Sequence, residues 1–155
     1  MRTIALVLGS VLGLVLLPAT AFAQFSGLPQ KIQDAIEENK KACDKSPRIR
    51  PELVAEKDIN GDGVKDYILD YGYFDCDGFV MFCGTGGCQT QVFASLDDGS
   101  YALVLDEQVR KLKFRKVKGR PAMVIDLHGG QCGRGGPNAC GMTLYWNGQK
   151  FSPAN

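Results

Sequence analysis

The chain has 155 residues, with 18 Lys and Arg against 17 Asp and Glu for a formal net charge of +1, and 45% of its residues are apolar. Near-neutrality excludes bulk electrostatic attraction to nucleic acid, leaving only local patches to act on charged partners. The length suits one domain with a real hydrophobic core.

The first stretch, MRTIALVLGSVLGLVLLPATAFA, carries Arg2, an apolar run from about Ile4 to Leu17, and Ala21-Phe22-Ala23 before Gln24. This layout reads as a secretory signal peptide over residues 1–23, cleaved after Ala23. The apolar run is short for a membrane span of ~20 residues. The chain remaining, residues 24–155, is read as a single β-rich domain, periplasmic or secreted, with no membrane span after cleavage. It loses only Arg2 from the charge count, so 17 basic residues (18 less Arg2) face 17 acidic ones.

From Leu28 to Cys43 the apolar residues Leu28, Ile32, Ala35, Ile36 and Cys43 fall near one helical face. Pro29 suits a first turn, and Lys40 and Lys41 suit the negative end of the helix dipole. One amphipathic helix is expected here, ended by Ser46-Pro47 and Arg50-Pro51.

The segment Asp58 to Tyr71, DINGDGVKDYILDY, spaces oxygen-bearing side chains at alternate positions. Counting Asp58 as position 1, Asn60 stands at 3, Asp62 at 5, Gly63 at 6, Val64 at 7 and Asp66 at 9. Alternate oxygens can converge on a hard cation, a glycine permits the sharp turn, and the Val64 carbonyl adds a backbone ligand. The expected cofactor is Ca²⁺ rather than Mg²⁺, which demands a tighter octahedron. Leu69 stands where an EF-hand has its bidentate Glu, and Tyr67 to Tyr71 reads as a strand instead of an exiting helix. The competing reading is a hydrogen-bonded, Asx-rich turn without metal.

Beyond Asp66 the period becomes two, interrupted by turn signals at short intervals. Val92, Ala94 and Leu96 alternate with Gln91, Phe93 and Ser95. Tyr101, Leu103 and Leu105 supply the inward side of a returning strand. A strand near Lys111 to Val117 turns at Lys118-Gly119-Arg120, Met123, Ile125 and Leu127 alternate in the next, and Met142, Leu144 and Trp146 lead to Asn147-Gly148, a two-residue hairpin signal before Phe151. The expected fold is mainly β (α+β): an antiparallel meander of six or seven strands with one N-terminal amphipathic helix, stabilised by disulfides.

Six cysteines, at 43, 76, 83, 88, 132 and 140, permit 15 pairings. An oxidising compartment favours disulfides, with Cys83–Cys88 and Cys132–Cys140 as local closures and Cys43–Cys76 tying the helical segment to the rest. A zinc site from Cys83, Cys88, Cys132 and Cys140 is the alternative, at spacings looser than usual for zinc.

The loop resembles the D-x-[DN]-x-D-G-x-x-D calcium loops of FG-GAP or VCBS repeats, in which the loop feeds directly into a β-strand. The resemblance covers about 14 residues in one copy and so implies no propeller. Across most of the chain, DINGDGVKDYILDYGYFDC, MFCGTGGCQTQVF, GRPAMVIDLHGGQCG and TLYWNGQKF together are similar to small uncharacterised bacterial periplasmic proteins, a likeness that implies no activity.

Asp126 and His128 share one side of a strand, which permits an acid–histidine pair with Cys132 nearby, although a catalytic thiol conflicts with disulfide formation. Between Arg110 and Arg120, RKLKFRKVKGR holds seven basic residues and no acid. Lys113, Arg115 and Lys118 are the candidate anion contacts, and Val117, out of phase with Leu112 and Phe114, suggests a bulge near Arg115-Lys116. The leading expectation is a non-catalytic calcium-binding interaction domain meeting an envelope protein or an anionic envelope polymer, with no nucleic acid. The alternatives are an inhibitor of an envelope hydrolase and a secreted hydrolase using Asp126 and His128.

Overall fold

The computed structural model describes residues 24–135 and 138–154, so the signal-peptide reading of residues 1–23 lies outside the described residues. The helix α1 spans Gln30–Lys40 after Pro29, and it buries Ile32 and Ile36. Leu28, Ala35 and Cys43 pack partly buried beside them. The exposed face is stitched by Lys40–Glu37 and Lys41–Glu38 ion pairs. Such exposed pairs contribute little, so the helix is held by its apolar stripe.

Among the described residues, eleven strands in three antiparallel sheets take the place of the six- or seven-strand meander. A two-stranded ribbon pairs β1 (Arg48–Ile49) with β4 (Phe74–Asp75). The first large sheet runs β2 (Val54–Lys57), β3 (Asp66–Asp70), β6 (Gly87–Ser95), with the short β5 (Cys83–Gly84) and the long β7 (Tyr101–Val109) both on β6. The second large sheet runs β11 (Phe151–Ser152), β10 (Cys140–Trp146), β9 (Arg120–Leu127), β8 (Lys111–Val117). β7 passes into β8 through Arg110 alone, so one bent path leaves the first sheet and becomes the last strand of the second.

The first large sheet is covered on both faces along the end of β6, which the simple alternation in that strand does not anticipate. Val92, Phe93, Ala94 and Ser95 are all buried in succession. Phe93 faces the helix with Tyr67, Leu69, Tyr71 and Phe74, whereas Val92 faces the second sheet with Met123, Ile125, Leu127 and Phe151. Alternation marks a strand with one wet face; a strand with two dry faces reads as a run.

Three local expectations are corrected. The bulge sits between Val92 and Phe93 opposite β7, while β8 pairs with β9 in unbroken register from Lys111↔Asp126 to Val117↔Arg120. One extra residue in β7, Val104, shifts Leu103 to an exposed position (44%) while Leu105 stays buried. Asn147-Gly148 does not close a two-residue hairpin: Trp146 pairs with Phe151, and the Asn147 side chain accepts the N–H groups of Gln149 and Lys150 at 3.0 and 2.9 Å, widening the loop. The tight two-residue turn lies instead at Lys118-Gly119, both at positive φ, between Val117 and Arg120.

The disulfides are Cys43–Cys76, Cys83–Cys88 and Cys132–Cys140, the pairs favoured by spacing, and no free cysteine remains among the described residues to hold zinc. Cys43–Cys76 fastens the segment after α1 to the end of β4. Tyr71, fully buried, connects the same layers through its hydroxyl, which accepts from the Asn39 amide at 2.7 Å and donates to Gln91 Oε1 at 2.8 Å.

Burial pushes the Tyr71 hydroxyl well above its ordinary value; the Asn39 hydrogen bond opposes this and the Asp106 charge adds to it. The neutral form is therefore the folded form. Its stabilisation is present below the unfolded pKa near ~10 and is lost as pH rises toward the higher folded value. Tyr71→Phe should cost about 1–3 kcal/mol at neutral pH by stranding Asn39 and Gln91. It should also flatten the fall of stability above pH ~10, read by denaturant melts across alkaline pH.

Candidate functional site

The Asp58–Asp66 loop joins β2 to β3, and it folds around its own carboxylates. Gly61 and Gly63 adopt positive φ of 87° and 83°, a region glycine enters freely. These two bends turn their N–H groups inward onto Asp58, at 2.6 Å to Oδ1 and 3.1 Å to Oδ2. Asn60 Oδ1 accepts the Asp62 N–H at 3.0 Å, and Asp62 Oδ1 accepts the Val64 N–H at 2.7 Å.

Asp66 behaves differently from its neighbours. It is completely buried, and both oxygens are engaged: Oδ2 accepts Ile59 N–H at 2.6 Å and Asn60 N–H at 3.3 Å, and Oδ1 accepts Ser95 N–H at 2.6 Å. The loop entry is thereby tied to the far end of β6. Asn60, also buried, strengthens this link by donating to the Ser95 carbonyl at 3.0 Å.

Ser95 Oγ lies 2.7 Å from Asp62 Oδ2 and 2.7 Å from Asp66 Oδ1. A hydroxyl has one proton to donate, so it can serve only one of these carboxylates at a time. The ion pairs Lys40–Glu37, Lys41–Glu38, Lys45–Asp77 and Lys65–Glu56 do not involve the loop's aspartates. At Asp62, burial pushes the carboxyl up, but the hydrogen bonds from Val64, Ser95 and Asn60 together outweigh it and hold the group below the ordinary carboxylate value.

The donor set is chemically suited to Ca²⁺: hard oxygens from Asp58, Asn60, Asp62, the exposed Val64 and Asp66 on one short loop. Asp58, Asp62 and Val64 lie toward solvent, and Asp66 lies on the inner side as the anchor. Among the described residues no group of three His, Cys, Asp or Glu side chains is placed to hold a metal ion.

The other candidates are less gathered. Lys113 and Arg115 project from the same face of β8, whereas Lys118 sits in the turn with φ of 52°. Asp126 is on β9, with its Oδ1 buried and without a hydrogen-bond partner. His128 has left the strand: its Nδ1 accepts the Gly130 N–H at 3.3 Å at the start of a short 3₁₀ turn. No hydrogen bond among the described residues joins it to Asp126, and Cys132 is held in its disulfide.

Two features escape the sequence reading. One is the apolar tip of the Cys76–Cys83 segment, where Phe79 is 77% exposed beside exposed Val80 and Met81; the run GFVMF was its available signal. The other is a cleft of about 770 Å³ lined by β8 and by residues of β2 and β3, which only sheet order creates. No family model, curated protein or solved structure matches the chain.

The inner anchor gives a direct test. Asp66→Ala removes the acceptor for three buried N–H groups, and at about 1–3 kcal/mol for each stranded donor it should cost at least ~3 kcal/mol. Asp66→Asn should cost nearly as much, because backbone N–H groups face both oxygens and either amide orientation sets nitrogen against a donor. Urea melts of both variants read this directly; an asparagine variant as stable as the parent would show that the carboxylate is not the anchor.

Proposed function

We propose that this protein is a non-catalytic contact domain of the extracytoplasmic space, with a Ca²⁺-binding loop at Asp58–Asp66 that organises the entry to β3. The observation that carries the metal is the pair of carboxylates competing for one Ser95 proton. The other donors to Asp62 and Asp66 are amide N–H groups committed to one carboxylate each, so the Ser95 hydroxyl is the only donor the two share, and a cation would offset the repulsion that it leaves. With Ser95 turned to Asp62, a lone pair on Asp66 Oδ1 is released. Asp58, Asn60, Asp62, the Val64 carbonyl and Asp66 are the residues that would hold the ion. Bound calcium would supply positive charge and rigidity to the loop.

Export is supported by three disulfides, which persist in oxidising compartments. No helix among the described residues is long and apolar enough to cross a membrane. A contact role is supported by the engagement of the cysteines and of His128 Nδ1 in local structure, which leaves no assembled nucleophile among the residues considered for hydrolysis.

Without a bidentate Glu, the expected affinity is on the order of 10⁻⁴ to 10⁻³ M, as for extracellular modules. At about 10 mM free Ca²⁺ the fold should gain roughly 1.4–2.7 kcal/mol over EDTA. Mg²⁺ should give less. Asp62→Ala should erase the calcium response while leaving the melt in EDTA within about 1 kcal/mol of the parent, since Ser95 then serves Asp66 alone. Thermal melts with no calcium response at that concentration would overturn the metal reading.

A further inference from the structure

Among the described residues β8 is the last strand of its sheet and pairs only with β9. Six consecutive residues, Val109 to Phe114, line the cleft of about 770 Å³. Four of them, Lys111 to Phe114, are consecutive in β8, where side chains alternate between faces, so their unbroken run along one wall sets the backbone edge against the cavity. Across from this edge lies a face of the first large sheet, presenting Ala55, Ile68 and Thr90. Lys57 extends over the Phe114 ring, 5.9 Å from its centroid, and closes one end.

The cleft carries more positive than negative charge: Lys57, Arg110, Lys111 and Lys113 against Glu52 and Asp70. One Asp70 oxygen already accepts the Gly72 N–H. Lys57, Lys111 and Lys113 are exposed and take part in none of the ion pairs among the described residues. Lysines on a sheet edge discourage pairing with a second copy of the same strand, because antiparallel copies would set like charges together. They do not discourage an acidic strand.

We infer that this cleft takes an extended acidic peptide segment of a partner protein, which adds a strand to the free edge of β8. Main-chain hydrogen bonds to the edge supply affinity, and alternate side chains supply selectivity. One face of the added strand rests its apolar side chains on Ala55 and Ile68; acidic side chains pair with Lys111 and Lys113. A polysaccharide or other polyanion can meet the charges but lacks the alternating amide groups that the edge matches. The inference deepens the contact reading and rests on it, but it does not require calcium to be bound.

The test is a fluorescence-polarisation titration of the protein against a labelled peptide of alternating Glu and Val. A peptide of about eight residues spans β8 at ~3.3 Å per residue. Saturable binding is expected, weakening about tenfold or more with Lys111→Gln and Lys113→Gln combined, together with a shallower salt dependence. Methylating alternate peptide amide nitrogens, which alters no residue of the protein, should weaken binding by a similar factor. No saturable binding at millimolar protein, equal binding of the methylated peptide, or full competition by a sulfated polysaccharide of matched charge would overturn the inference. A null titration beside an intact calcium shift removes the cleft and leaves the loop; a lost calcium shift beside intact peptide binding does the reverse.

Discussion

The carboxylate of Asp66 is the contact on which the arrangement of the β2–β3 region turns. It begins β3, yet it reaches backward to the N–H groups of Ile59 and Asn60 and sideways to Ser95 at the end of β6. A buried carboxylate is costly to desolvate, and that cost is offset only when its lone pairs are filled. Three backbone donors do so here, joined by the Ser95 hydroxyl when it is not turned to Asp62. The loop therefore has one inner end fixed to the sheet, and Asp58 and Asp62 are presented outward as a consequence.

The same sheet divides the interior into two cores. Helix α1 and the Tyr71–Phe74 region cover one face, while the second large sheet covers the other. The bent passage from β7 to β8 at Arg110 sets how far that cover extends, because Arg110 N–H binds the Asp126 carbonyl at 2.8 Å and holds the bend against β9. The second sheet consequently packs over Val92 and leaves part of the β2–β3 face open. Cleft and unpaired edge have one origin: the strand that changes sheets has a partner on one side only.

Features carried by neighbouring residues were legible in the sequence. The helical stripe of Ile32 and Ile36, the short Cys83–Cys88 closure and the alternation of Met123, Ile125 and Leu127 are local signals, and each has its counterpart in the described residues. The Asp58–Asp66 spacing revealed an oxygen-rich loop but gave Asp66 the same rank as Asp58. Its separate role as a buried anchor depends on Ser95, 29 residues away in sequence. The division into sheets was not legible, because β7 and β8 form a nearly continuous run and nothing within it marks the change of partner. The bulge was misplaced for a related reason: Val117 breaks phase at a strand end, where a tight turn follows and alternation loses its force.

Lys57 links the two candidate regions. It ends β2 immediately before Asp58, it lines the cleft, and it borders a second hollow of about 260 Å³ between the loop and β8. Phe114 borders both spaces as well, and the Lys57 ammonium rests over its ring. A cation on the loop would repel that ammonium, whereas an acidic strand in the cleft would attract it. Both influences favour the same displacement, away from Asp58 and toward the cleft. Were both proposed ligands to bind, the coupling would be limited by solvent screening around an exposed lysine and would be reciprocal: whatever calcium added to peptide affinity, the peptide would add to calcium affinity. The two regions can therefore be distinct in chemistry and still reinforce each other through a single side chain.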